Sequence, residues 1–222
     1  YRARYAHLDS LVIPEPLPAL SGPRVLAMRF VDGTPLRDLE GADDALRQRV
    51  ARTLADWITE ELFTHGELHA DPHAGNFAVN DRGQLVIYDL GAVIPVPEAR
   101  LTAMMQLLAA TLAKDPMAMD DALLKMGGRQ GQGAPLSLYR ESADAVAPLF
   151  HPGEQDFGDV RVHRRLRELS PKVWAAMDRL QPPADTLLLS RTLNGHYWNL
   201  VRLGARLDMA ERTRPLFARG HA

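Results

Sequence analysis

One segment restricts the folds open to this chain more than any other, because it joins a polar loop to a hairpin pattern. The loop is "LHADPHAGN" at residues 68–76, where a histidine, an aspartate and an asparagine lie close together. Two short apolar runs follow, "FAV" and "LVIY", and the Asn-Asp-Arg-Gly between them is typical of a tight turn. We therefore predict a β-hairpin that starts at residue 77 and leads into "DLG", with polar groups at its open end.

Periodic apolar residues predict helices on both sides of this segment. Residues 43–65 carry apolar side chains at three- and four-residue steps, with Asp43 or Asp44 as the helix cap and Gly66 as the stop. By contrast, "RVLAMRFVDG" at residues 24–33 is predicted to form a strand. Later helices are expected at about 97–112, 116–126, 136–149, 161–180 with an interruption near Pro171, and 184–206.

The composition excludes several classes of protein. Apolar residues make up 46% of the 222 residues, and no apolar run approaches the roughly 18–20 residues that span a bilayer. The net charge of -2 gives no reason to expect a nucleic-acid partner, and the lack of cysteine excludes disulfides and thiolate chemistry. We expect a cytoplasmic protein, with peripheral attachment to the inner membrane left open.

The residue types of the loop and hairpin fit phosphoryl transfer from ATP. This chemistry needs one carboxylate near the attacking oxygen, and oxygen ligands that hold Mg²⁺ against the phosphates. Asp71 fits the first role, whereas Asn76 and Asp89 fit the second. His69 is expected to brace the loop rather than act as a base. A tight hairpin would pair Asn76 with Ile87 and place Asp89 about two residues further on, roughly 7 Å away.

These motifs resemble a known family. "HADPHAGN" followed by "LVIYDLG" resembles the UbiB/AarF family of atypical kinases, "VLAMRFVDG" resembles the hinge strand of that family, and "LLLSRTLNGHYWNLVRLGA" resembles its late helix. Ala74 stands where the family usually has proline, and Leu90 where it usually has phenylalanine. The resemblance implies a mainly α (α+β) fold: the helical large lobe of a protein-kinase-like fold with a small catalytic β-hairpin, and most of the small lobe absent.

The resemblance also implies a role for individual residues. Asp71 resembles the catalytic aspartate, and His69 belongs to the same catalytic loop. The residues implied to bind the cofactors ATP and Mg²⁺ are Met28, Arg29 and Val31 at the adenine side, and Asn76 and Asp89 at the metal. The implied function is that of an ATP- and Mg²⁺-dependent kinase or ATPase, with a link to ubiquinone or isoprenoid-quinone biosynthesis. The acceptor is left open between a protein, a lipid and water.

The lysine distribution suggests that part of the kinase is missing. In the family, the small lobe carries an Ala-rich nucleotide loop and a phosphate-binding lysine, yet the first lysine here is Lys114. We expect residues 1–40 to be a hinge remnant and residues 41–222 to be the large lobe, with the catalytic loop and hairpin at 66–93 and a helical subdomain at 97–222. Such a fragment or processed product is expected to bind nucleotide weakly and to turn it over poorly or not at all.

Three alternatives stay open. A small-molecule phosphotransferase of the aminoglycoside or choline kinase kind uses a similar His-x-Asp-x4-Asn loop. A non-catalytic, pseudokinase-like module would use the helices to bind a partner. A metal site at His65, His69 and His73 is less favoured, because Gly66 and Pro72 interrupt the helix that would align the three histidines.

Charge is distributed unevenly along the sequence. Residues 161–222 contain 12 Arg and Lys but only 5 Asp and Glu, while the rest of the chain is acidic. A basic helical end suits an anionic membrane surface, although solvated helix faces explain the same pattern. A membrane is therefore predicted as a possible partner beside ATP.

Overall fold

The structure, a computed structural model, describes residues 1–129, 131–159, 161–180 and 184–219. Within these residues the chain is mainly helical with small β-sheets, so the expected α+β class is confirmed. The helices are α1 (Asp44–His65), α2 (Glu98–Leu112), α3 (Pro116–Lys125), α4 (Leu136–Val146), α5 (Arg161–Ala175), α6 (Ala184–Arg202) and α7 (Met209–Arg219). The strands are β1 (Leu11–Val12), β2 (Thr34–Pro35), β3 (Glu67–His69), β4 (Phe77–Val79), β5 (Leu85–Ile87), β6 (Val93–Pro95), β7 (Gln155–Asp156) and β8 (Arg206–Leu207).

The helix predicted over residues 43–65 is confirmed as α1, and the expected residues form its ends. Asp43 caps the first turn, because its carboxylate accepts a hydrogen bond from the Leu46 amide at 3.2 Å. Gly66 follows the last turn with φ of 64°, a left-handed conformation that glycine adopts without a steric penalty. The buried face of α1 packs against β3 and β5, and its fully buried apolar residues include Val50, Leu54 and Trp57.

The predicted hairpin is confirmed, with a register that differs by one residue. β4 and β5 pair antiparallel, with Phe77 opposite Ile87. Asn76 therefore lies opposite Tyr88, and its carbonyl accepts a hydrogen bond from the Tyr88 amide at 3.0 Å. The expected pairing of Asn76 with Ile87 is wrong. The last hydrogen-bonded pair of the hairpin is Asn80 and Gln84, and the turn between them has three residues, 81–83.

A second strand pair holds the two ends of the polar segment together. The hairpin lies in a four-stranded sheet of order β1-β5-β4-β2, in which β1 runs parallel to β5. Separately, β3 pairs antiparallel with β6, with His69 opposite Val93. Strand β3 leads into the polar loop and β6 follows the hairpin. Their pairing therefore closes residues 70–92 into a ring, with residues 70 and 92 side by side.

The buried apolar side chains form two clusters. The first contains α1, the hairpin and, from the far end of the chain, the α6 residues Leu189 and Leu200. The second lies among α2, α3, α4 and α5 and includes Met119, Leu138 and Tyr139. Helix α6 thus packs with α1 and the hairpin, which brings it next to the polar loop.

The strand predicted at residues 24–33 is not formed. This segment makes only isolated pairings, Pro16 with Met28 and Gly22 with Val25. Its partner segment is rich in proline, which has no N–H to donate to a strand ladder. In addition, Phe30 is 84% exposed, so no apolar layer of the described chain covers this segment as a buried strand would require.

The last helices also differ from the prediction. Helix α5 continues through Pro171 and ends at Ala175, and α6 ends at Arg202. Gly204, with φ of 59°, turns the chain into β8, which pairs antiparallel with β7. Helix α7 was not predicted as a separate element. The two-residue strands β7 and β8 are too short to show an alternating pattern, so no local signal predicted this turn.

Gly66 offers a test of how the chain enters the polar loop. We expect Gly66→Ala to lower the free energy of unfolding by about 1–2 kcal/mol, because a Cβ is strained at positive φ. Gly41→Ala is the matched control, since a Cβ there meets no atom within 4 Å and its φ is not positive. Urea unfolding measures both changes, and an equal loss in the two variants would contradict this explanation.

Candidate functional site

The buried residue His69 joins the loop, the hairpin end and two helices. Its side chain has no exposed surface, and its ring Nε2 donates a hydrogen bond to the main-chain carbonyl of Asp89 at 2.5 Å. Its amide donates to the carboxylate of Glu61 at 2.9 Å. Its carbonyl accepts a hydrogen bond from Nε2 of His196 at 3.1 Å. Because the ring is buried and bonded to a carbonyl, the geometry suits a brace rather than a base.

Asp71 and Asn76 are in direct contact. The Asn76 Nδ2 donates to the Asp71 Oδ2 at 2.7 Å and to the Asp71 carbonyl at 3.2 Å. The amide of His73 donates to the Asp71 Oδ1 at 3.4 Å. Because Nδ2 faces the carboxylate, the Asn76 Oδ1 points away from it and is left to accept from another group.

Asp89 lies at the open end of the hairpin, just beyond the strand that pairs with β4. The main-chain N–H of its neighbour Tyr88 donates to the Asn76 carbonyl. Asp89 therefore follows directly after the hairpin partner of Asn76, the other predicted metal ligand. The carboxylate of Asp89 is exposed, and its Oδ1 accepts a hydrogen bond from the Gly91 amide at 2.7 Å. The second carboxylate oxygen makes no hydrogen bond to the described residues.

These groups fit a divalent cation of the magnesium type. The Asn76 Oδ1 and the Asp89 carboxylate are hard oxygen donors, which Mg²⁺ prefers, and Mg²⁺ commonly keeps several of its waters. The residues that the structure describes contain no group of three or more His, Cys, Asp or Glu arranged to hold a metal. His65 bonds to the Glu60 carboxylate at 3.3 Å, while His69 faces the buried ring of Trp57 at 5.6 Å.

A cavity of about 810 Å³ opens beside Asp89. Its walls are largely apolar, as suits a flat aromatic base, and include Ile13, Pro14, Pro16, Leu26, Met28 and Tyr88.

The three residues assigned to the adenine side lie in different surroundings. Met28 lines the cavity, and its main-chain N–H and C=O form no hydrogen bond within the described residues. Arg29 is directed toward Glu15, with its amide 2.8 Å from the Glu15 carbonyl and its Nε 3.1 Å from the carboxylate. The carbonyl of Val31 accepts a hydrogen bond from the Tyr88 hydroxyl at 2.9 Å. Among these three, Met28 alone keeps both main-chain groups available.

Three polar residues behind the loop were not predicted from the sequence. Glu61, His196 and Asn199 are 0%, 2% and 4% exposed, and each bonds to the main chain of the loop. Their signal in the sequence is weak, because a polar residue in an amphipathic helix is usually solvated. Only the spacing 192, 195, 196, 199 in α6, which selects one helix face, could have indicated them.

Burial shifts the pKa values of two of these groups in a direction that favours their neutral forms. Burial raises the pKa of Glu61 to about 7, the hydrogen bond from the His69 amide opposes this shift, and the charge of Glu67 adds to it. Burial lowers the pKa of His196 to about 4, so its imidazole is neutral at pH 7. A neutral His196 that donates through Nε2 carries its single proton on that atom.

Comparison with known protein families matches residues 1–123 to a domain described as the ABC1 atypical kinase-like domain. The chain is 28% identical over 127 residues to Protein ACTIVITY OF BC1 COMPLEX KINASE 8, chloroplastic, of Arabidopsis thaliana, covering 55% of this chain and 17% of that protein. It is 24% identical over 214 residues to Atypical kinase COQ8, mitochondrial, of Saccharomyces cerevisiae, covering 93% of this chain and 42% of that protein. The chain thus spans less than half the length of either relative.

A solved structure shares the fold. The structure of the Rv3197–erythromycin complex from Mycobacterium tuberculosis matches with a TM-score of 0.73, covering 97% of this chain and 55% of that chain at 18% identity. A likeness at this identity concerns the fold alone. No helix among the described residues is long and apolar enough to cross a membrane.

Glu61 predicts a pH-dependent stability. The pKa of Glu61 is about 7 in the folded chain, against its ordinary value of 4.5. The folded chain therefore holds a proton that the unfolded chain loses between these pH values, and the free energy of unfolding falls as pH rises through that window. Glu61→Gln does not titrate and keeps an oxygen for the His69 amide. We expect the variant to gain stability relative to the wild type from pH 5 to pH 8, by an amount on the order of 1–3 kcal/mol.

Chemical unfolding at several pH values measures this difference. Glu40→Gln, at an exposed position before α1, is the control and should show no pH-dependent difference. Titration of His196 affects wild type and variant alike and cancels in the comparison. A Glu61→Gln difference that stays constant from pH 5 to pH 8 would contradict the shifted pKa.

Proposed function

The chain belongs to the family of ABC1 atypical kinase-like domains, and from this premise we propose that it provides the catalytic loop of an ATP- and Mg²⁺-dependent atypical kinase or ATPase of the UbiB/AarF type. The observation that carries the proposal is the contact between Asp71 and Asn76, with Asp89 one residue beyond the hairpin partner of Asn76. The family resemblance adds a link to ubiquinone or isoprenoid-quinone biosynthesis as part of this proposal.

Each of the three residues has a distinct task in the proposed reaction. Asp71 orients the attacking hydroxyl or water and accepts its proton, and the bond from Asn76 holds the Asp71 carboxylate in place. Asn76 and Asp89 supply oxygen ligands for Mg²⁺. When bound, Mg²⁺ neutralises charge on the triphosphate during transfer. The acceptor is a protein, a lipid or water.

The cavity beside Asp89 is the proposed place for the adenine of ATP. Met28 lines this cavity and offers a free main-chain N–H and C=O, the pair of groups that reads one edge of a purine. The side chain of Arg29 pairs with Glu15 and the carbonyl of Val31 is bonded to Tyr88, so we assign these two residues a supporting part in the hinge.

Nucleotide binding to the chain tests the proposal. A fluorescent ATP analogue should bind more tightly with Mg²⁺ than without it. Asp89→Asn should remove this gain and weaken the Mg²⁺-dependent affinity by at least about tenfold, a loss seen even for residues that only support a metal ligand. Asp81→Asn is the matched control, because Asp81 is an exposed carboxylate at the other end of the same hairpin. Equal affinity of the two variants for the Mg²⁺-bound analogue would contradict the metal role.

The two rival functions predict different results. A small-molecule phosphotransferase would transfer phosphate from ATP to hydroxylated compounds, which nuclear magnetic resonance of phosphorus detects directly. A pseudokinase-like module would show a rise in melting temperature with nucleotide but no turnover of ATP. Membership of the atypical kinase family favours the proposed function over the first rival.

Helix α5 supports an anionic membrane surface as a second partner. Arg164 and Arg167 are exposed on this helix, and so is Trp174, with 74% of its surface in solvent. Leu166 and Met177 are each 40% exposed nearby in sequence. Arginine beside exposed apolar side chains is the composition of helices that lie on a membrane.

Co-sedimentation with anionic vesicles tests this second partner. We expect binding at low salt that weakens at high salt, since charge attraction is screened, and no binding to neutral vesicles. The double variant Arg164→Gln, Arg167→Gln should reduce binding, whereas Arg37→Gln, Arg82→Gln in the other half of the chain should not. Absence of binding at low salt would remove the membrane from the proposal.

A further inference from the structure

One face of α6 is bonded to the main chain of the polar loop. Thr192, Gly195, His196 and Asn199 follow the spacing that aligns residues on a single side of a helix. The polar members are Thr192, His196 and Asn199, which are 0%, 2% and 4% exposed. All four meet residues 69–72, which lie more than a hundred positions earlier in the chain.

The two shortest hydrogen bonds between this face and the loop lie on either side of Asp71. His196 donates to the carbonyl of His69 at 3.1 Å, two residues before Asp71. Asn199 donates from Nδ2 to the carbonyl of Pro72 at 2.8 Å, one residue after it. The main chain that carries Asp71 is therefore fixed on both sides by donors from one rigid helix.

Gly195 allows the close approach between these two donors. A Cβ at this position would lie 2.2 Å from Cγ of Pro72, closer than any real side chain. The helix thus rests against the proline ring, and the loop cannot move toward α6.

The donor side of these bonds is itself fixed. The ring of His196 packs against Trp57 at 5.9 Å and against Phe77 at 6.0 Å. Burial keeps the imidazole neutral at pH 7, with its proton on the nitrogen that meets the loop. Trp57 belongs to α1 and Phe77 to the hairpin, so the core of the protein holds the donor in place.

We propose that His196 and Asn199 are positioning residues for Asp71: by holding the carbonyls of His69 and Pro72, they fix the direction of the Asp71 carboxylate before an acceptor arrives. Asp71 counts as catalytic only under the proposed function, so this inference rests on it. The physical gain is preorganisation, because a loop that is already in place does not need to be ordered during the reaction.

Hydrogen–deuterium exchange of the whole chain tests the positioning. We expect Asn199→Ala to speed exchange of amides in a peptide covering residues 68–76 by about tenfold, since loss of one buried donor releases the Pro72 carbonyl. Exchange in α2 and α3 should stay unchanged. Asn194→Ala, at an exposed position of the same helix, is the matched control and should leave the loop at the wild-type rate.

A second variant covers the case in which Asn199→Ala does not fold. His196→Phe keeps an aromatic ring among Trp57 and Phe77 but removes the donor to His69, and it should produce the same local increase in exchange. Loop exchange equal to that of Asn194→Ala, or a uniform increase that includes α2 and α3, would overturn the proposal.

Turnover separates this inference from the proposed function. If the chain hydrolyses ATP, Asn199→Ala should lower kcat by about tenfold and leave KM for ATP within about twofold, because α6 does not line the nucleotide cavity. A raised KM with unchanged kcat would overturn the positioning role. A wild-type chain without Mg²⁺-dependent nucleotide binding would refute the proposed function, while the exchange result would still decide whether α6 fixes the loop.

Discussion

The arrangement of the site depends on the three bonds of His69. Its ring holds the main chain at Asp89, its amide is held by Glu61, and its carbonyl is held by His196. These bonds add to the β3–β6 pair and to the Asn76–Asp71 contact, which also join the loop with Asp71 to the hairpin end with Asp89. The amide and carbonyl bonds of His69 are buried, so water does not compete for them, and its ring bond ties the main chain at Asp89 to the loop.

Three layers of structure support the site. Helix α1 supplies Trp57 and Glu61 beneath the loop, the ring closed by β3 and β6 presents the polar side chains, and α6 covers the loop from behind. On the side of Asp71, the loop is bonded to α6 through the carbonyls of His69 and Pro72. An open, largely apolar cavity is lined by Met28 and Asp89, and most of residues 24–30 are exposed.

The sequence predicted the elements that are determined by interactions between residues close in sequence. The turn residues at 80–83 and the periodic apolar face of α1 indicated a hairpin and a helix whose bounds agree with the structure to within a residue or two. It did not predict the bonds of His196 and Asn199, because these join positions 127 residues apart and have no local pattern. The strand expected at 24–33 was wrong for the converse reason: a locally suitable apolar run lacked a donor-bearing partner and a covering layer.

Under the proposed function, the Asn76 amide and the Asp89 carboxylate bind one cation beside Asp71. A crystal of the chain grown with Mn²⁺ and a non-hydrolysable ATP analogue, measured at the manganese edge, tests this most directly. We expect an anomalous peak bonded to the Oδ1 of Asn76 and to a carboxylate oxygen of Asp89, with the adenine in the cavity beside Met28. A peak at other residues, or an Asn76 amide turned away from the cation, would contradict it.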